Sequence, residues 1–126
     1  METIYLATLT ADGLPDVRAI SAVKSEGLGT IWMVSGADAP KTKELERNPA
    51  CMIYATEMED DQDYVELRLW GTVAVLSDAA SRDEAWNDVY REYFPGGKDD
   101  ENMRALKFTA SRGWVTTLEG REEMTF

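Results

Sequence analysis

Histidine is absent from the 126 residues of this chain. Without it the protein has no Ser-His-Asp or Cys-His nucleophilic machinery, no usual zinc site and no histidine-ligated haem. It also lacks the side chain best suited to proton transfer near neutral pH. We therefore predict no catalytic side chain and no metal site, and we expect a cofactor to carry any chemistry that the protein performs.

Cysteine, long apolar runs and basic residues are also scarce. Cys51 is the only cysteine, so no intramolecular disulfide can form, which favours a reducing compartment such as the cytoplasm. No apolar run approaches the roughly 18 residues of a membrane span, and no leader-like segment follows Met1. With 13 basic against 24 acidic residues and a net charge of −11, the chain lacks the basic face that nucleic acids and anionic membranes require.

The residues that are present predict a single globular domain over residues 1–126, because 44% of them are apolar and no linker or repeat interrupts them. Strand-like segments cover residues 3–10, 16–23, 29–36, 50–57, 64–77 and 105–118. Tight turns join the first three segments, which predicts an antiparallel meander. Gly71, near the middle of the long segment 64–77, predicts a bulge, a barrel corner or a close approach of two backbones.

Helical patterns occur at about residues 40–48 and 81–93. The second has capping-box spacing between Ser81 and Glu84 and an apolar stripe, which we interpret as core packing rather than as a ligand site. The stripe consists of Trp86, Val89, Tyr90 and Tyr93.

A charged hairpin tip is predicted at residues 58–63. Six or so short strands with two or three small helices suit a closed or partly closed barrel.

Two lysines, Lys41 and Lys43, follow Pro40 in the first turn of the first predicted helix. The amino end of a helix is electropositive, so cations there lose a few tenths to about 1 kcal/mol. Free backbone N–H groups beside a lysine can bind a phosphate, and a bound phosphate would make the position of the lysines favourable. The alternative interpretation is that both lysines are solvated.

Arg18 is a second candidate for binding an anion. Strand alternation puts it on the same face as Ile20, so that its side chain projects between apolar neighbours. A ligand contact is one interpretation of this position. The other is an edge-strand arginine that reaches solvent or pairs with one of the many carboxylates.

The order of three segments resembles that of a known family. The segments are YLATLTADGLPDVRAIS (5–21), IWMVSGADAPKTKELERNPACMIYA (31–55) and YVELRLWGTVAVLSD (64–78). They resemble the pyridoxamine 5′-phosphate oxidase-related, FMN-binding split-barrel family, and within it the small general-stress-protein-like members. The resemblance implies a mainly β fold, a six-stranded antiparallel Greek-key split barrel with two or three short helices.

The resemblance also implies a flavin site. The residues that match the family's FMN-binding positions are Arg18, Ala19, Ile20, Ser21, Val34, Ser35, Gly36 and Lys41. The resemblance implies that the first four run along the flavin, with the arginine reaching its phosphate or ribityl chain. It also implies that the next three lie beside the ring or ribityl chain and that the lysine binds the phosphate. Family members usually bind FMN in a groove between two subunits, which implies a homodimer. Ala39 and Pro40 replace the hydroxyl or second cation that several relatives have before the lysine.

The function implied by the resemblance is a flavin-dependent oxidoreductase of unknown substrate. The chain ends at Phe126 without the Arg-Leu-x-Pro type segment of the true pyridoxamine phosphate oxidases, so we do not expect vitamin B6 oxidation. The missing histidine argues against the haem-handling relatives. Two alternatives stay open: a barrel without turnover, either flavin-binding or flavin-free, and a reductase that uses the deazaflavin F420. F420 has an anionic tail that this acidic chain is poorly suited to hold.

Overall fold

The chain folds around one curled antiparallel sheet, described at residues 3–21, 23–57 and 64–126 by a computed structural model. The strands are β1 (Thr3–Leu9), β2 (Pro15–Ser21), β3 (Lys24–Glu26), β4 (Thr30–Gly36), β5 (Ala50–Glu57), β6 (Val65–Leu76), β7 (Met103–Thr117) and β8 (Gly120–Thr125). The helices are α1 (Pro40–Arg47) and α2 (Ala79–Ala85), with 3₁₀ segments at Asp88–Glu92 and Gly97–Asp99. The hairpin tip predicted at residues 58–63 lies outside the described residues.

The strand order β2-β1-β5-β6-β7-β4-β3 leaves the sheet open between β2 and the edge formed by β4 and β3. β8 pairs with the part of β7 that extends beyond β4. The connection from β4 through α1 to β5 crosses the β5-β6-β7 meander, which is a Greek-key connection. The mainly β split barrel predicted from the sequence is confirmed, and the short strands β3 and β8 add to the six that were predicted.

The prediction that the first three strand-like segments form one meander is wrong. β1 and β2 pair as a hairpin, but β4 lies at the other end of the sheet, beside β7. The reason is that β4 is apolar on both faces. Ile31 and Met33 point into the barrel, while Trp32 and Val34 pack under α2. A position beside β7 covers both faces at once.

The single helix predicted at residues 81–93 is also wrong. α2 begins earlier, with Asp78 as its N-cap, and the Asp78 carboxylate accepts a hydrogen bond from the backbone N–H of Ser81 at 3.1 Å. The helix stops before Trp86, whose backbone is extended with φ −66° and ψ 139°. Asn87 then caps the separate 3₁₀ segment with its own side chain. Short polar side chains compete for backbone groups in this way, and here they break the helical pattern.

Two apolar clusters hold the sheet. The larger one fills the inner face, where its largest fully buried members are Leu6, Met33, Leu45, Ile53, Leu69, Leu106 and Phe108. The smaller one lies between α2 and the outer face of β4 and β7. α2 contacts β4 and β7, which leaves the outer face of β5, β6 and the second half of β7 without a covering helix in the described part of the chain.

Among the described residues, no helix is long and apolar enough to cross a bilayer.

Gly71 of β6 lies at a bulge, as predicted, and the extra residue of that bulge is Ser111 of β7. The register with β7 shifts between Trp70 and Gly71. A Cβ at Gly71 would overlap the backbone carbonyl oxygen of Thr109 on β7, so only glycine allows the two strands to approach here. The bulge bends β7 and helps to curl the sheet.

Candidate functional site

A cleft of about 380 Å³ opens where the sheet is split, between β2 and the end of β4. Among the residues that the structure describes, both strands have a free edge there, because β2 pairs only with β1 and β3 pairs with β4 only at residues 30–32. Its volume is in the range typical of small-molecule sites. From these strands and α1, the cleft is lined by Ala19, Ile20, Ser21, Val34, Ser35, Gly36 and Lys41. The structure thus brings together all of the predicted site residues except Arg18.

Lys41 stands at the end of the cleft, at the start of α1. Its ammonium is half-buried and has no hydrogen bond or ion pair within the described residues. Burial, and secondarily the positive charge of nearby Arg18, lower the pKa of Lys41. Lys43, by contrast, is exposed and lies 3.8 Å from the Glu46 carboxylate. A half-buried cation without a carboxylate partner is suited to receive an anionic group.

The free edge of β2 offers backbone hydrogen-bonding groups to the cleft. The carbonyl oxygen of Ser21 accepts a hydrogen bond from the Tyr90 hydroxyl at 2.8 Å, so this carbonyl points away from β1. Backbone groups of alternate residues in an antiparallel strand point the same way, so the N–H and C=O of Ala19 also face the cleft. A ligand with a polar edge could pair with them as a strand would.

Sequence reasoning missed the third wall of the cleft. This wall comes from the 3₁₀ segment and the residues after it, and it consists of Tyr90, Tyr93 and Phe94. Tyr93 is 72% exposed and Tyr90 is half-buried, which raises the pKa of Tyr90 to about 12. Two of the three belong to the stripe that was interpreted as core packing. The signal that could have found them is Asn87, a strong cap residue in the middle of the supposed helix.

Arg18 is not among the residues that line the cleft. Its side chain lies on the inner face of the sheet, as the alternation with Ile20 predicts, and it contacts the carboxylates of Asp16 at 2.9 Å and Glu44 at 3.1 Å. This arrangement matches the carboxylate-paired interpretation. The predicted contact with a flavin phosphate stays a prediction.

A second concave surface, of about 500 Å³, lies on the uncovered outer face of the sheet. Three arginines there lie over three aromatic rings, at 4.6 to 5.1 Å from the ring centroids. We call this surface the aromatic–arginine face, and it consists of Tyr54, Arg68, Trp70, Arg112, Trp114 and Arg121. It continues to the cleft, because Tyr5 pairs with Tyr54 on one side and with Ala19 on the other.

An open antiparallel barrel with a cleft at its split is the architecture of the split-barrel proteins. The sequence pattern of the family described as "Pyridoxamine 5'-phosphate oxidase like" matches residues 1–125. The chain belongs to this family. No curated protein matches the sequence.

Solved structures support the same fold. A Clostridium acetobutylicum protein related to general stress protein 26, of the pyridoxinephosphate oxidase family, superimposes with a TM-score of 0.82 at 27% identity, covering 100% of this chain and 87% of that one. A nimC/nimA family protein from the same organism gives 0.72 at 25% identity, with 99% and 85% covered. General Stress Protein 26 from Bacillus anthracis gives 0.78 at 15% identity, with 99% and 89% covered, and shows the fold alone.

Proposed function

We propose that this protein binds FMN in the cleft and acts as a flavin-dependent oxidoreductase. The observation that carries the proposal is the half-buried Lys41 at the end of the cleft, where, among residues 3–21, 23–57 and 64–126, the lysine has no partner and two strand edges are free. Bound FMN would supply the hydride or electron transfer, which agrees with a chain that has no histidine for acid–base work. A single cysteine is consistent with the reducing compartment that we expect for it.

The residues of the cleft fit each part of such a cofactor. Lys41 would hold the phosphate with a charge-assisted hydrogen bond. The free backbone groups at Ala19 would bind the polar edge of the flavin ring, since they face the cleft. The wall of Tyr90, Tyr93 and Phe94 would pack on the ring and exclude water from it. F420 fits less well, because its longer anionic tail would meet the same single lysine on a chain of net charge −11.

Titration of the purified protein with FMN tests this proposal. We expect bound flavin absorbance, quenching of flavin fluorescence on binding, and release of FMN when the protein is heated. A parallel titration with riboflavin, which lacks the phosphate, measures how much the phosphate contributes to binding. A titration with F420 tests the F420 alternative. Colourless protein that takes up no added FMN would contradict the proposal and favour the flavin-free barrel. FMN-loaded protein that passes no electrons to quinone or dye acceptors after reduction would favour a flavin carrier without turnover.

We further propose that two copies associate through the aromatic–arginine face, with the flavin cleft at the edge of their interface. Arginine, tryptophan and tyrosine are the residues enriched in the cores of protein interfaces. The face also carries acidic residues of its own, Glu66 and Glu123. Glu123 of β8 lies opposite Trp114 of β7 in the strand pairing. A surface with both signs of charge can be complementary to itself, as a two-fold dimer requires. Its continuity with Ala19 through Tyr5 would bring the second copy to the lip of the cleft.

The mass of the protein in solution tests the dimer. We expect a dimer for the parent, and a shift towards monomer for Arg68→Glu and for Trp114→Ala, because each removes an anchor of the face. Arg47→Glu is the matched control, since it makes the same charge change at an exposed position on α1. A monomeric parent at micromolar concentration, or a dimer unaffected by both variants, would contradict the assignment.

A further inference from the structure

Two buried residues, Thr8 and Glu44, form a hydrogen-bonded network with the partly exposed Arg18 beside α1. Glu44 is 7% exposed and Thr8 is 2% exposed. The Thr8 hydroxyl accepts a hydrogen bond from Arg18 at 2.8 Å and donates one to Glu44 at 3.2 Å. Arg18 Nη2 also donates directly to Oε1 of Glu44 at 3.1 Å. A buried polar network whose members are all satisfied is rigid and holds its elements in one arrangement.

This network joins one lip of the cleft to α1. Arg18 precedes the cleft residues of β2, and Glu44 lies one helical turn beyond Lys41. A second connection joins α1 to the other lip, because the Thr42 hydroxyl donates to the carbonyl oxygen of Gly36 at 2.6 Å. α1 is therefore tied to both edges of the split by two residues that lie within one helical turn of Lys41.

The guanidinium of Arg18 has little capacity left for a ligand. Nη1 donates to the carbonyl oxygen of Leu6 at 3.2 Å and to the Thr8 hydroxyl at 2.8 Å. Nη2 donates to Asp16 at 2.9 Å and to Glu44 at 3.1 Å. An arginine has five N–H donors, and these contacts use the four on its Nη atoms.

We propose that Arg18 and Glu44 are positioning residues, which hold α1 against β2 and thereby place Lys41 at the end of the cleft, and that Arg18 is not a ligand of the phosphate. This assignment rests on the FMN binding proposed above. It gives the two carboxylate partners of Arg18 different roles. Glu44 connects Arg18 to the helix that carries Lys41, whereas Asp16 lies on β2 itself and is exposed.

Affinities for FMN and riboflavin, measured on the full chain, test the assignment. In Glu44→Gln we expect the preference for FMN over riboflavin to fall about tenfold, as for one misplaced charge-assisted hydrogen bond. Asp16→Asn is the matched control and should stay within about twofold of the parent, as for an exposed ion pair. The double variant Arg18→Gln/Glu44→Gln should lose no more than the larger single effect, because both residues act as one unit.

The opposite role for Arg18 has a different signature. If Arg18 bound the phosphate itself, Glu44→Gln and Asp16→Asn would each remove a competing negative charge, and the FMN preference would rise or stay unchanged. That result overturns the positioning role while FMN binding by the parent still stands. A parent that binds no FMN overturns both proposals.

A loss of folding is separated from a loss of positioning by two measurements. Urea unfolding of the flavin-free variants measures their stability. A loss of stability weakens the binding of FMN and of riboflavin equally, so it does not change the preference for FMN. Thr8→Val removes one hydrogen bond from each partner and keeps both charges, so it serves if Glu44→Gln does not fold. If Thr8→Val has a lower free energy of unfolding than the parent but the same preference for FMN over riboflavin, the assignment is also overturned.

Discussion

The Lys41→Ala protein is expected to bind FMN about 5- to 150-fold more weakly than the parent, a loss of about 1–3 kcal/mol of charge-assisted hydrogen bonding. The loss should be confined to the phosphate, so riboflavin should bind both proteins with similar affinity. Lys43→Ala is the matched control, because Lys43 is exposed, belongs to the same helical turn and does not line the cleft. Titration by flavin fluorescence measures all of these affinities. If Lys41→Ala binds FMN as tightly as the parent, the phosphate does not bind at this lysine.

The pH dependence of FMN binding gives a further check on Lys41. Burial and the charge of Arg18 lower its pKa, so the ammonium loses its proton at a lower pH than an ordinary lysine does. FMN affinity of the parent should therefore be full below that pKa and should fall on the alkaline side of it. Lys41→Arg keeps its charge throughout, so its FMN affinity should not fall in that range. Identical alkaline profiles for the two proteins would contradict the role of Lys41.

Replacing Gly71 with alanine is expected to lower the free energy of unfolding by about 3 kcal/mol, at the upper end of what overpacking usually costs. The added Cβ would overlap the carbonyl oxygen of Thr109, and a backbone atom cannot rotate away as a side chain can. The two longest strands would have to separate at the bulge. Urea denaturation followed by circular dichroism measures this loss.

Gly36→Ala is the matched control for that substitution. Gly36 is also a strand glycine, and the nearest atom that its Cβ would meet is Asn102 Nδ2 at 3.5 Å, an ordinary contact. We expect its unfolding free energy to stay within about 0.5 kcal/mol of the parent, as for a substitution that removes no contact. Equal stabilities for the Gly71 and Gly36 variants would mean that the backbones at the bulge can move apart freely.

Local patterns were sufficient for most of the strands and for α1. The helix predicted at residues 40–48 spans Pro40–Arg47, and the six predicted strand segments all contain strands. The prediction for residues 81–93 was wrong because the apolar stripe there is interrupted by Asn87, whose side chain caps a new segment. Hydrophobic periodicity cannot detect such a break, since it counts apolar positions and ignores competition for backbone N–H groups.

The candidate site could be predicted only in part. Family resemblance pointed to residues on β2, β4 and α1, and the structure brings these elements to one cleft. It could not point to Tyr90, Tyr93 and Phe94, because their place depends on where the chain turns after α2. It also could not show that the Arg18 side chain faces the barrel interior and meets a carboxylate from a helix 26 residues away in sequence, and its assignment of Arg18 to the flavin stays a prediction.

The sequence by itself determined a small acidic β protein without histidine chemistry, a glycine at the bulge between its two longest strands and a cationic helix start. These properties depend on composition and on neighbours in the chain. The tertiary structure decided that β2 and β4 face each other across the split and that aromatic side chains close the cleft. It also decided that, within the part of the chain that the structure describes, Lys41 has no partner while Arg18 has four. These are properties of pairs of distant residues, and only the folding of the whole sheet brings such pairs together.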